Sequence, residues 1–282
     1  MPDYPHLIDC RTLASVSDIV VFDCRFNLAD PGWGERVYRE GHLPGARFAD
    51  LNRDLSSPIG PTSGRHPLPD AEGLARKLGS WGVDRSVQVA VYDDAGGAFA
   101  ARLWWLLRWL GHPAVALLDG GLQAWAAMGG DLTAGLPQPQ PQPRRFEVHP
   151  NDAAWVTSAE LVAGLAEHRF QVIDARAPVR FRGESEPIDP VAGHIPGAIN
   201  LPLQGNLTAD GRFLSPGQLR ARFLGALGER PPRAAVHSCG SGVNACHNVL
   251  AMEVAGLSGS KLYAGSWSEW IRDPQRPVAS GD

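Results

Sequence analysis

The chain repeats itself, and the repeat limits the folds open to it. Gly41-His42-Leu43-Pro44-Gly45-Ala46 returns as Gly193-His194-Ile195-Pro196-Gly197-Ala198, and Asp23-Cys24-Arg25 returns as Asp174-Ala175-Arg176. An offset of about 150 residues also relates LLDGGLQAW, Leu117 to Trp125, to LYAGSWSEW, Leu262 to Trp270. Two copies of one domain in tandem follow, read as residues 1–134 and 151–282. Residues 135–150 are read as the linker, because GLPQPQPQPRR (135–145) alternates Pro and Gln and can hold neither a helix nor an inner strand.

Within each copy short apolar runs alternate with helical patterns. In the second, Thr157 opens a capping-box pattern with Glu160, and Leu161, Val162 and Leu165 supply an apolar face, so a helix should precede the strand Gln171-Val172-Ile173. Ser215-Pro216 marks another helix start, since Ser caps well and Pro fits the first helical position. Arg233 to His237 reads as a short strand, followed by a glycine-rich turn and a helix from about Ala245 to Val254. The first copy matches, with a strand at Val87 to Tyr92 and a helix at Phe99 to Leu110. Strands alternating with helices imply parallel pairing and an α/β layer fold, with ligands beyond the carboxyl ends of the strands.

Such a turn in the second copy carries a cysteine, in HSCGSGVNACHN (237–248). Gly240 and Gly242 allow positive φ, so successive N–H groups can curl into an anion-binding nest around Cys239. The nest and the helix N-terminus behind it both favour the thiolate, and Asn244 is a residue type that caps helices well. These features make Cys239 the candidate nucleophile over a merely buried thiol. Laying Val91 on Val236 puts Asp94 opposite Cys239. A carboxylate cannot do thiol chemistry, so the first copy is expected to be inactive and to supply walls and polar groups to the second copy's cleft. His42 and His194 recur in both copies and therefore read as structural, as do Trp267 and Trp270, which match Trp125.

Composition narrows the class. With 282 residues, 44% hydrophobic and 20% charged, the chain can bury a sizeable core, and a net charge of −4 gives no global attraction to nucleic acid or an anionic membrane. The N-terminus lacks a basic stretch followed by an apolar run, so the expected location is the cytoplasm. Four cysteines are too few for a disulfide scaffold, and neither a CxxC pair nor a zinc-type Cys/His cluster occurs. No metal is expected.

CGSGVNACH, the two GH(L/I)PGA segments and the YAGSWSEW ending resemble the tandem-domain sulfurtransferases, the rhodanese and 3-mercaptopyruvate sulfurtransferase family, over nearly the whole chain. The resemblance implies two tandem rhodanese-like domains, each a parallel-stranded sheet flanked by helices. It implies a persulfide on Cys239, loaded from thiosulfate or 3-mercaptopyruvate and discharged to cyanide or a thiol, with a thioredoxin-like protein among the acceptors and no cofactor. The resemblance implies that Gly240, Gly242, Val243 and Asn244, the last standing where the family usually has Thr, bind the substrate beside the sulfur. Basic residues after the cysteine accompany thiosulfate, whereas the neutral Gly240-Ser241-Gly242 is similar to the mercaptopyruvate branch. There the loop serine, here Ser241, works with a histidine, matching His66, and an acidic residue. Two arginines hold the substrate carboxylate, and one matches Arg180. The acidic partner falls on Asn52, with Asp50 and Asp54 nearby, and the second arginine falls on Ile188, which leaves Arg182 as the replacement.

Three rivals remain beside that implication. A cysteine phosphatase needs an arginine six positions after the cysteine to clamp phosphate; here that position is Ala245, and no arginine lies between Arg233 and Lys261. A persulfide carrier loaded by a partner protein needs no cationic clamp, whereas a small-molecule enzyme does, and Arg180, Arg182 and Arg102 are the candidates. A redox sensor would pair Cys239 with Cys246.

Overall fold

The computed structural model describes residues 4–136 and 142–282, so residues 137–141 of the expected linker lie outside the described residues. The chain divides into two compact units. The first holds β1 (Leu7–Ile8), α1 (Cys10–Ser15), β2 (Ile19–Asp23), α2 (Trp33–Glu40), β3 (Arg47–Phe48), α3 (Ala71–Ser80), β4 (Gln88–Tyr92), α4 (Ala100–Trp109), β5 (Val115–Leu118) and α5 (Gly121–Ala127). The second holds β6 (Trp155–Val156), α6 (Ser158–Ala166), β7 (Gln171–Asp174), α7 (Pro178–Phe181), β8 (Ile199–Asn200), α8 (Pro216–Leu227), β9 (Ala235–Ser238), α9 (Ala245–Val254), β10 (Lys261–Tyr263) and α10 (Ser266–Trp270).

Each unit carries a five-stranded sheet of the same topology, β1-β5-β4-β2-β3 and β6-β10-β9-β7-β8. Every pairing is parallel, with Val91 beside Phe22 in one sheet and His237 beside Ile173 in the other. The central strands β4 and β9 are buried throughout, as expected where helices cover both faces of a parallel sheet. The two copies are thus two α/β folds of one topology in tandem, as the repeat implies.

Local signals act where the sequence places them. Thr157 and Glu160 form the capping box of α6; Ser215 caps α8 with Pro216 in its first turn, and Gln218 completes a second box. Leu161 is buried, but Val162 faces solvent, so the buried stripe of α6 is narrower than its sequence suggests. The expected strand at Arg233 begins later, because Pro232–Ala234 form a 3₁₀ turn that Pro231 and Pro232 favour.

His42 and His194 play one role twice. Each Nδ1 lies 2.8 Å from a backbone carbonyl, of Tyr38 and of Phe181 respectively, and each ring stacks on that residue's aromatic side chain. The Asp-x-Arg pair also repeats: Arg25 binds Asp23 and the Gly41 carbonyl, and Arg176 binds Asp174 and the Gly193 carbonyl, so the motif fastens the strand end to the GH(L/I)PGA turn.

Neither unit is contiguous. Residues 58–67, from the first half of the sequence, belong to the second unit, and residues 209–213, from the second half, belong to the first. Phe213 donates its N–H to the Asp119 carboxylate at 2.8 Å, at the end of β5. In the second unit the Arg65 N–H reaches the Ser268 hydroxyl at 3.0 Å on α10. A Cβ on Gly64 would stand 2.5 Å from the Gly265 carbonyl oxygen, so only glycine allows that approach.

Candidate active site

The turn after β9 places Cys239 at the carboxyl end of the central strand of the second unit, 3% exposed. Hydrogen bonds to the α10 segment fix its backbone. The Cys239 N–H donates to the Ser266 hydroxyl at 3.0 Å, and the Cys239 and Gly240 carbonyls accept from the Trp267 and Ser268 N–H groups at 3.0 and 2.9 Å. Ser266 holds φ at +51°, an uncommon value for a non-glycine residue, and its hydroxyl donates in turn to the Tyr263 carbonyl.

With its carbonyls held outward, the loop folds back on the sulfur. Gly242, at φ +76°, donates its N–H to Cys239 Sγ at 3.2 Å. A Cβ at Gly242 would lie 2.1 Å from the Ala264 carbonyl oxygen, so sterics and backbone angle both demand glycine. Val243 is buried. Asn244 occupies the N-cap position of α9, but its side chain accepts no capping hydrogen bond, so its capping role is corrected. Cys246 is wholly buried with its thiol on the Gly242 carbonyl, and no disulfide joins the four cysteines.

Two polar groups meet this loop. Ser241 Oγ lies 2.7 Å from His66 Nδ1, and both residues are buried. Above Gly240, a Cβ would stand 3.1 Å from Nη2 of Arg65 and 3.6 and 3.7 Å from the two terminal nitrogens of Arg180. Both arginines bind Asp189: Arg65 Nη1 donates to Oδ1 at 2.6 Å, and Arg180 Nη2 to Oδ2 at 3.2 Å. Arg180 also grips Glu186, whose other neighbour is Arg176. Burial pushes the Glu186 carboxyl up, but the bonds from Arg180 and from the Asp189 and Ile188 N–H groups outweigh it and hold it below the usual carboxylate range.

Cys239, Gly240, Ser241, Gly242, Val243, His66 and Arg180 therefore come together. Arg182 does not join them: its guanidinium lies on Glu184 at 2.7 Å at the surface, so the replacement expected from sequence is corrected. Arg102 is wholly buried in α4 of the first unit. Asp50 and Asp54 are engaged within that unit, Asp50 with the Asn52 and Arg53 N–H groups and Asp54 with the Asp50 N–H and Lys77. Sequence reasoning singles out His66 but passes over Arg65, its neighbour, and Asp189. Among the described residues no group of three or more His, Cys, Asp or Glu side chains could hold a metal ion.

The matching loop of the first unit holds a carboxylate where the second holds a thiol. There Asp93, at the place of Ser238, turns its own carboxylate into the loop: Oδ1 accepts from the Ala95 and Gly97 N–H groups and Oδ2 from those of Phe99 and Ala100, all at 2.8 Å. Gly97, at φ +91°, is the counterpart of Gly242. This nest is filled from within the chain. Asp94, opposite Cys239, has its carboxyl raised by burial and by the neighbouring Asp93 charge.

Comparison with known proteins identifies the family. The rhodanese-like domain matches residues 5–128 and 157–273. The chain belongs to the rhodanese-like family. It is 55% identical to a protein of Pseudomonas aeruginosa named a probable 3-mercaptopyruvate sulfurtransferase, over 95% of this chain and 94% of that one. It is 35% identical to the thiosulfate sulfurtransferase of Bos taurus, over 89% and 86% of the two chains. The solved 3-mercaptopyruvate sulfurtransferase from Leishmania major superposes with a TM-score of 0.85 at 30% identity, over 97% of this chain and 77% of that one. This rhodanese-like chain is a sulfurtransferase.

Proposed function

We propose that the chain takes sulfur from 3-mercaptopyruvate as a persulfide on Cys239 and passes it to cyanide or a thiol. The observation that carries this reading is the uncharged loop Gly240-Ser241-Gly242, with its serine hydroxyl on buried His66 and two guanidinium groups over its first glycine. The Cys239 thiolate attacks the donor sulfur. The S–S bond forms as the C–S bond breaks, and the electron pair leaves on the three-carbon fragment as an enolate, which takes a proton to become pyruvate. Ser241, with His66 behind it, is the proton source for that enolate, and the Gly242 N–H stabilises charge on the cysteine sulfur. Arg180 orients the donor carboxylate. In the second half-reaction an acceptor thiolate or cyanide attacks the outer sulfur and returns the Cys239 thiolate.

On this reading residues 151–282 form the catalytic domain, completed by the 58–67 segment, and residues 1–134 the copy whose loop Asp93 closes. Val243 packs behind the loop and Asn244 begins the helix whose positive end faces it. The acceptor in the cell is a small thiol or a thioredoxin-like protein, and the site of action is the cytoplasm, where a reducing environment keeps an unpaired thiol available. No helix among the described residues is long and apolar enough to cross a membrane.

The test is steady-state sulfur transfer to cyanide with each donor, on the wild type and on Cys239→Ser. The expected result is a higher kcat/KM for 3-mercaptopyruvate than for thiosulfate, and loss of both activities in the variant with its fold retained. Preference for thiosulfate overturns the donor, and activity retained in Cys239→Ser overturns the nucleophile.

A further inference from the structure

We propose that Arg65 is the second cationic arm of the donor-carboxylate clamp beside Arg180, and that Asp189, bonded to both guanidinium groups, selects a singly charged donor; this rests on the function proposed above. Ile188, where family resemblance puts an arginine, carries no charge and is partly exposed. Arg65 reaches the same loop from a different part of the sequence. Its Nη2 lies 3.1 Å from where a Cβ on Gly240 would stand, and the terminal nitrogens of Arg180 lie within 3.7 Å of that point. Gly240 directly follows Cys239, so both cations overhang the residue next to the sulfur.

Arg65 is held in place at both ends. Its backbone N–H is bonded to the Ser268 hydroxyl, Gly64 is pressed against the Gly265 carbonyl, and its Nη1 is bonded to Asp189 Oδ1. Its Nε is nonetheless buried without a hydrogen-bond partner. A buried donor of a charged group left unpaired is costly, and a carboxylate arriving at the guanidinium supplies an acceptor. The Arg65 side chain is 21% exposed and that of Arg180 16%, so neither is sealed from solvent.

The charges around the pair determine what that solute should be. Arg65, Arg180 and Arg176 are linked through Asp189, Glu186 and Asp174 into one network of three cations and three anions. The network is neutral, so it offers directed N–H groups to a carboxylate without an excess of positive charge for a dianion. Asp189 is the positioning residue: its two oxygens hold the guanidinium groups side by side. Removing its charge while keeping its size leaves the network one charge more positive, and a doubly charged donor gains more from that than a singly charged one.

The experiment measures kcat and KM for 3-mercaptopyruvate and thiosulfate on the intact wild type and on Arg65→Gln, Arg65→Lys and Asp189→Asn, with thermal unfolding of each to confirm folding. Arg65→Gln is expected to raise KM for 3-mercaptopyruvate about 10- to 100-fold, the loss of one charge-assisted hydrogen bond, with a smaller effect on kcat. Arg65→Lys should recover part of the loss, which an arginine that merely braced the fold would not require. Asp189→Asn should shift the kcat/KM ratio towards thiosulfate. An unchanged KM in a folded Arg65→Gln overturns the second arm, and an unchanged donor ratio in a folded Asp189→Asn overturns the charge selection. A wild type that turns over neither donor overturns the underlying function instead, and the proposal with it.

Discussion

His237 sits on β9, two residues before Cys239, and is wholly buried. Its Nε2 lies 3.2 Å from the Met252 sulfur, its ring meets Phe223 edge-on, and its Nδ1 has no hydrogen-bond partner. No anion repays the burial of a charge there, so burial depresses its pKa from 6.5 to about 3. The folded state therefore holds His237 neutral at pH values where the unfolded chain protonates it. Its contribution to stability is complete above the unfolded value of 6.5 and is lost as the pH falls towards the folded value of about 3. Across that window the loss is on the order of 1 kcal/mol per pH unit. Urea unfolding between pH 6 and pH 4 (about two pH units) checks this, and His237→Leu should flatten the pH dependence by one proton's worth. An equal slope in both proteins would mean that other groups take up the proton. Near Cys239, sequence alone reveals residue types and glycine spacing, which is enough to single out the cysteine and the serine. It does not reveal Arg65, because Asp189, which holds its guanidinium, stands 124 residues further along the chain.

At the scale of elements, one strand–turn–helix unit serves opposite ends in the two copies. Both loops carry a positive-φ glycine, Gly97 and Gly242, and both precede a buried helix. In the second copy the loop folds around a thiol, and in the first it folds around the Asp93 carboxylate. Sequence alignment of the copies sets Asp94 opposite Cys239 and so directs attention one residue away from the group that fills the nest. The carboxylate at Asp93 reaches the N–H groups because it belongs to the last position before the turn, a detail of side-chain direction that residue spacing does not encode. Asp93→Ala leaves four N–H groups of a largely buried loop without their acceptor. The expected cost is about 2–4 kcal/mol, seen as a lower denaturant midpoint, while sulfur transfer per folded molecule is unchanged. A variant as stable as the wild type would show that the N–H groups find other partners.

For the whole molecule, the repeat made the two sheets, their parallel pairing and the order of helices legible, because hydrophobic runs and caps act between near neighbours. The crossing of 58–67 into the second unit and of 209–213 into the first was not legible. Residues 58–67 are rich in Pro, Gly and polar residues, residues 209–213 are only five long, neither has a period, and what fixes them are contacts to residues far along the chain, such as Gly64 on Gly265, Arg65 on Asp189 and Phe213 on Asp119. The proposed catalytic group thus draws on both halves of the sequence: Cys239 and Ser241 from one, Arg65 and His66 from the other. Cys239 is proposed to carry the transferred sulfur, and intact-protein mass spectrometry after incubation with 3-mercaptopyruvate, without an acceptor, tests this most directly. The expected result is a mass gain of one sulfur atom on the wild type, removed by cyanide and absent from Cys239→Ser. A wild type that releases pyruvate without gaining sulfur, or a Cys239→Ser chain that gains the same removable sulfur, would contradict it.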